Sequence, residues 1–144
     1  ALKHIMDIEL LEKALENDDN LSIINTNIQD IKTKKNEILQ QLGLERENLK
    51  LYHTKLKSYR YIDTIKDFKY GSAIRWINLN KLDEIKLQGA SFLNDIKIHD
   101  KGIAIILRSF SNRYFTIYLN ENLIFQKINN EEEVLLKAIN YLNK

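Results

Sequence analysis

LSIINTNIQDIKTKKNEILQQLGLERENLKLYHTKLKSY, residues 21 to 59, is the stretch on which the architecture turns. With Leu21 at heptad position a, the a positions are Leu21, Ile28, Lys35, Leu42, Leu49 and Leu56, and the d positions are Ile24, Ile31, Ile38, Glu45, Tyr52 and Tyr59. Ten of these twelve are apolar or aromatic, the pattern of a coiled-coil seam rather than of a short amphipathic helix. One helix over this span is about 57 Å long at 1.5 Å per residue, longer than a small domain is wide. A second copy of the chain is the simplest cover for the stripe, which makes Leu21, Ile24, Ile28, Ile31, Lys35, Ile38 and Leu42 the expected oligomer interface. The alternative is a long helix lying along a bundle of its own chain.

Upstream, residues 3 to 16 place Ile5, Ile8, Leu11 and Leu15 on one helical face. Asn17, Asp18, Asp19 and Asn20 interrupt that face with residues that favour turns and caps, so the N-terminal half reads as a helical hairpin. Within the long helix, Lys35 and Glu45 stand at core positions, where a buried charge is costly unless paired; they either set register or reach out to solvent. Gly43 costs about 1 kcal/mol against alanine inside a helix, which marks Leu42 to Leu44 for a bend or break. From Ser58 to Tyr70 the heptad dissolves, and Ile62, Ile65 and Phe68 allow a further turn or a second short helix ended by Gly71.

After Gly71 the period changes. Residues 72–79, 85–88, 91–99, 102–110, 113–119 and 123–128 alternate apolar and β-branched side chains between turn residues, the signature of strands. Asp100-Lys101-Gly102 is a hairpin turn, and Ser109 to Asn112 and Asn120-Glu121-Asn122 are expected to be two more. Five or six short strands make a bent antiparallel meander or a small partly open barrel. The C-terminus returns to helix, with Asn130 as the cap, Glu133 at the third position, and Val134, Leu135, Ala138, Ile139 and Leu142 on the face that closes the sheet. The expected fold is α+β, with a helical hairpin and coiled-coil stalk over residues 1–58 and a small β domain with its C-terminal helix over 59–144.

Composition narrows the chemistry. The chain has no cysteine, which removes disulfides, thiolate metal sites and cysteine nucleophiles and fits a reducing, intracellular location. No apolar run approaches 18 residues and no signal-peptide pattern opens the chain, so no membrane partner is expected; the missing initial methionine fits a processed or trimmed piece of something longer. Isoleucine, asparagine and lysine make up 54 of the 144 residues, a codon bias of AT-rich genomes. His4, His53 and His99 are scattered with no metal-ligand spacing, and no nucleophile elbow or glycine-rich phosphate loop occurs. Neither catalysis, nor a metal, nor a cofactor is expected.

Two surfaces remain as candidates. Net charge is +2, but residues 1–20 carry −4 and residues 50–75 carry +5. In that basic segment Lys50, Lys55, Lys57, Arg60, Lys66, Lys69 and Arg75 interleave with Tyr52, Tyr59, Tyr61, Tyr70 and Trp76, a pattern that suits phosphates and stacked bases, or else an ordinary solvated helix face. In the fifth run Arg113, Phe115, Ile117 and Leu119 alternate with Tyr114, Thr116 and Tyr118. If the first set faces the core, Arg108, Tyr114 and Tyr118 share an outer face suited to a protein partner, unless the C-terminal helix covers it.

GSAIRWINL (71–79), RYFTIYLNENLIFQK (113–127) and EEEVLLKAINYL (131–142) resemble segments of short uncharacterised proteins encoded by large double-stranded DNA viruses, over residues 59–143. That resemblance implies a viral setting, in the particle, its assembly or the host cytoplasm or nucleus, and no site residue. The expected function is that of a non-enzymatic, homo-oligomeric protein-interaction or structural component, with nucleic-acid binding through the basic segment as the alternative.

Overall fold

The structure, a computed structural model, describes residues 7–143; His4, Ile5 and the start of the first expected helix lie outside the described residues. The chain is α+β and forms two compact units, one running up to Lys50 and resuming at Ile128, the other Leu51–Lys127. The C-terminal helix therefore belongs with the N-terminal helices, and the expected division at residue 58 does not describe it.

In the helical unit α1 (Ile8–Glu16) starts where the Asp7 carboxylate accepts the Leu10 N–H at 3.1 Å. A 3-10 turn (Asp18–Asn20) leads into α2 (Leu21–Ile24), and α3 (Ile28–Gln40) follows; α4 (Arg46–Lys55) runs across the division between the units at Lys50. The single helix expected over residues 21–59 is thus three pieces. Asn27 is extended and its side chain accepts the Asp30 N–H at 2.8 Å, so it caps α3 instead of continuing α2. Gly43, at φ +65°, ends the next piece before Arg46. A capping side chain and a left-handed glycine supply backbone partners that helix propagation would otherwise supply, and the heptad loses its continuity twice.

Burial along the seam becomes uneven with it. Leu21 is 60% exposed and Ile24 is exposed, while Ile28 and Ile31 pack into the core of their own unit. Ile38 and Leu42 are half-buried. In α3 the buried positions are Ile31, Lys35 and Leu39, a spacing of four rather than the alternating three and four of a coiled coil. Glu45 lies exposed in the break.

Lys35 is buried, and desolvation, reinforced by neighbouring Lys32, holds its ammonium pKa below the usual lysine value. The charged form is therefore disfavoured in the fold at neutral pH, and the cost fades as pH rises through the lowered folded-state pKa. In urea unfolding, the difference between wild type and Lys35→Met should therefore move in favour of wild type from pH 7 toward pH 10, and a pH-independent difference would refute the shift.

α5 (Asn130–Leu142) opens with a capping box one residue earlier than expected: Asn129 Oδ1 accepts the Glu132 N–H at 2.8 Å and Glu132 Oε1 accepts the Asn129 N–H at 3.2 Å. It buries Val134, Leu135 and Leu136 against Ala14, Ile23 and Ile31, whereas Leu142 is exposed. A polar clamp joins first and last segments. Fully buried Asn20 donates through Nδ2 to the Ala14 carbonyl and to Glu131 Oε1, both at 3.0 Å, and Asn17 Nδ2 reaches the same carboxylate oxygen at 3.1 Å.

The second unit holds one open antiparallel sheet of six strands in the order β1-β6-β2-β3-β4-β5. Its strands are β1 (Tyr59–Ile62), β2 (Ala73–Asn78), β3 (Leu87–His99), β4 (Gly102–Arg108), β5 (Tyr114–Tyr118) and β6 (Asn122–Lys127). β1 occupies residues where a continuing helix was expected, and a 3-10 turn (Ile65–Asp67) replaces the second short helix. Its register shows why: Ile62 faces Ile124 and Tyr61 packs on Phe125 with ring centroids 5.8 Å apart, so cross-strand burial outweighs a weak helical period.

The two expected strands 85–88 and 91–99 are one strand, β3, with two bulges. Ile74 pairs with Ser91 but Arg75 with Gly89, and Leu93 pairs with Leu107 but Asp95 with Ile106. Each extra residue bends the strand, so β3 pairs with β2 through its first half and β4 through its second, and Ile74, Leu93, Ile105, Leu107 and Ile124 meet in one core. The turns at 100–102 and 109–112 are hairpins, with Gly102 and Asn112 at positive φ. Asn120-Glu121-Asn122 is not a hairpin. Through a 3-10 turn (Leu119–Glu121) the chain leaves β5 at one edge for β6 between β1 and β2, fixed by the Leu79 N–H donating to the Glu121 carbonyl at 2.9 Å.

Candidate interaction surface

Antiparallel register decides which side chains share a face. Arg108 stands opposite Tyr114, Ile106 opposite Thr116 and Ala104 opposite Tyr118, so Arg108, Tyr114 and Tyr118 lie on one face. Phe115, Ile117 and Leu119 pack on the opposite, core side. Phe92 of β3 is opposite Arg108 and joins the same outer face.

The Arg108 guanidinium sits 5.3 Å from the Phe92 ring centroid, a cation–π contact, and Phe110 meets Phe92 edge-on at 5.1 Å and 80°. The turn that carries Phe110 is held by its own polar groups. Arg108 Nη1 donates to Asn112 Oδ1 at 2.9 Å, the Ser109 N–H donates to the Arg113 carbonyl at 2.9 Å, and the Arg113 N–H donates to Ser109 Oγ at 3.2 Å. Phe110 is 76% exposed and Tyr114 61% exposed, so rings and cation are fixed from below and open above. Phe110 stands out in the sequence only as an aromatic among turn residues; Phe92 needed the bulge at Asn94 to be placed.

The basic segment does not form one surface of cations and rings. Lys50, Lys55, Lys57 and Lys66 are exposed, Lys69 and Arg75 half-buried, and Arg60 buried, where its Nη2 donates to the Asp67 carbonyl at 3.3 Å. Tyr52 and Tyr59 are buried, the Tyr52 hydroxyl donating to the Ile85 carbonyl at 3.1 Å, and Trp76 packs on Phe115 with centroids 5.5 Å apart. Tyr70 keeps an open face.

A shallow hollow of about 370 Å³ lies between Tyr61, Asp63, Ile103, Leu119, Asn120 and Asn122. Burial, with Asp63 nearby, raises the Tyr61 phenol further from ionisation at neutral pH, so it offers a hydroxyl and not a base. The two amides are committed, Asn120 Nδ2 to the Lys101 carbonyl at 3.2 Å and Asn122 Nδ2 to the Tyr118 carbonyl at 2.8 Å. Among the described residues no cluster of three His, Asp or Glu side chains could hold a metal ion, and no helix is long and apolar enough to cross a membrane.

Compared with known proteins, the chain matches no family model, no curated protein and no solved structure.

Proposed function

We propose that this chain is a non-enzymatic protein-interaction module whose docking face is the outer surface of β3, β4 and β5. The observation that carries this reading is Arg108 held over Phe92 beside exposed Phe110 and Tyr114. Fixed aromatic rings around an arginine give large contact area at low entropic cost, the usual make-up of interface hot spots. From Gly102 to Asn120 the hairpin carries Arg108 and Arg113 and no acid. The fitting partner is a protein segment that sets an Asp or Glu on Arg108 and a bulky apolar side chain against Phe110 and Tyr114.

Selection of peptides from a random library on the folded protein is expected to enrich an acidic residue adjoining an aromatic or large aliphatic one. Affinity of a selected peptide should fall about 30-fold on Arg108→Ala, the loss of a hot spot of about 2 kcal/mol. Selected peptides that bind wild type and Arg108→Ala alike would show that this face is not the docking site.

A further inference from the structure

The sheet has two edge strands, and they differ. β1 is buried at Tyr59, Arg60 and Ile62, whereas β5 exposes Tyr114 and Thr116 and carries neither the proline nor the lysine that commonly blunts an open edge. We infer that β5 pairs antiparallel with β5 of a second copy of this chain, about a two-fold axis at Thr116.

Three observations select this partner and this register. First, the Ser109 N–H donates to the Arg113 carbonyl, which makes residues 109 and 113 a hydrogen-bonded pair; by alternation, Arg113, Phe115 and Ile117 turn their backbone groups toward β4. Tyr114, Thr116 and Tyr118 therefore turn theirs toward the open edge. Secondly, Tyr-Phe-Thr-Ile-Tyr has the same aromatic, apolar and polar order in both directions. Pairing Thr116 with its copy sets Tyr114 against Tyr118 on the outer face and Phe115 against Ile117 on the core face. Thirdly, β5 is uncharged but flanked by Arg113 at one end and Glu121 at the other. Antiparallel pairing brings each arginine to the partner's glutamate end, while parallel pairing would set arginine beside arginine.

The Tyr118 carbonyl already accepts from Asn122 Nδ2. The new ladder then has four bonds: each Thr116 N–H to the other Thr116 carbonyl, and each Tyr118 N–H to the opposite Tyr114 carbonyl. An edge of five residues covers less than the roughly 800 Å² per partner of a standard interface, so the dimer dissociates on dilution.

The absence of cysteine makes the register directly testable. Residues facing each other in a hydrogen-bonded antiparallel pair have Cα atoms about 5.5 Å apart, within disulfide reach. Under mild oxidation of the concentrated protein, Thr116→Cys is expected to form a covalent dimer on a non-reducing gel. Tyr114→Cys and Tyr118→Cys are each expected to stay monomeric, being about 13 Å from their own copy, yet to crosslink when mixed. Circular dichroism confirms that each variant is folded. Failure of Thr116→Cys to crosslink, or equal crosslinking by all three, overturns the pairing. The proposal stands apart from the docking face, since neither readout involves another protein or Arg108.

Discussion

Gly89→Ala should destabilise the β unit by about 3 kcal/mol or more, the combined scale of a side chain at positive φ and of overpacking against fixed backbone. Gly89 has φ +106°, and a Cβ built there lies 2.7 Å from the Ile74 carbonyl oxygen and 3.1 Å from the Arg75 Cα. Both are backbone atoms at the bulge where β3 turns away from β2, so neither can swing aside as a side-chain tip would. Relief requires opening the ladder between Ile74 and Ser91, the point from which the sheet curls around its core. Gly43→Ala is the matched control. Gly43 is also at positive φ, +65°, but among the described residues no atom beyond its chain neighbours lies within 4 Å of its Cβ position, so only the conformational cost of about 1 kcal/mol applies. Urea unfolding is followed by tryptophan fluorescence, which reports on the β unit where the single tryptophan, Trp76, packs against the core cluster, and by far-UV circular dichroism, which also reports on the helical unit that holds Gly43. A Gly89→Ala midpoint within error of the Gly43→Ala midpoint would refute the argument.

Trp76 and its neighbours also show what the sequence could and could not disclose. Period-two alternation places β2, β4 and β5 within two residues of their true ends, and it sorts Phe115 and Ile117 from Tyr114 and Thr116, because one face is buried and the other is not. Capping chemistry locates α5 to within one residue, because Asn129 and Glu132 satisfy each other locally. What misled was long range. The heptad from Leu21 to Tyr59 is present as spacing, but Asn27 and Gly43 hold stronger local backbone solutions, and the apolar residues they release part ways: Ile28 and Ile31 join the core of their own unit while Leu21 and Ile24 are exposed. β1 was illegible because its burial comes from β6, more than sixty residues away along the chain. The β5–β6 connection looks like any hairpin turn from Asn120 to Asn122, and only the strand order shows that the chain crosses the sheet there. Of the candidate surface, Arg108, Tyr114 and Tyr118 were readable from alternation; Phe92 was not, since the extra residue at Asn94 shifts the parity of the strand.

The same long-range logic makes Gln126→Leu the second large effect. Gln126 is completely buried on the core side of β6, between Arg60 and Ile74 on its neighbours. Its Oε1 accepts the Lys69 N–H at 2.8 Å and its Nε2 donates to the Asp67 carbonyl at 3.0 Å, so one side chain ties the irregular segment after β1 to the sheet. Leucine fills similar volume but satisfies neither group. Asp67 keeps the donation from Arg60 Nη2 at 3.3 Å, whereas the Lys69 amide loses this acceptor in a half-buried setting, at about 2 kcal/mol for the pair of bonds. Urea unfolding should show that loss, and amide exchange at Lys69 should accelerate well before global unfolding. Gln126→Glu separates hydrogen bonding from packing. A carboxylate there can still accept from Lys69 but meets the Asp67 carbonyl with a lone pair, while the protonated acid can donate to it. Burial and that contact raise its folded-state pKa above the unfolded value of about 4.3. Stability is then greatest below pH 4 and falls as pH rises through the raised folded-state pKa, because the unfolded chain releases the proton first. Measured as a difference from wild type at each pH, Gln126→Glu should approach zero in acid and exceed the Gln126→Leu deficit at pH 7. A pH-independent difference would mean that Gln126 contributes volume and not its two hydrogen bonds.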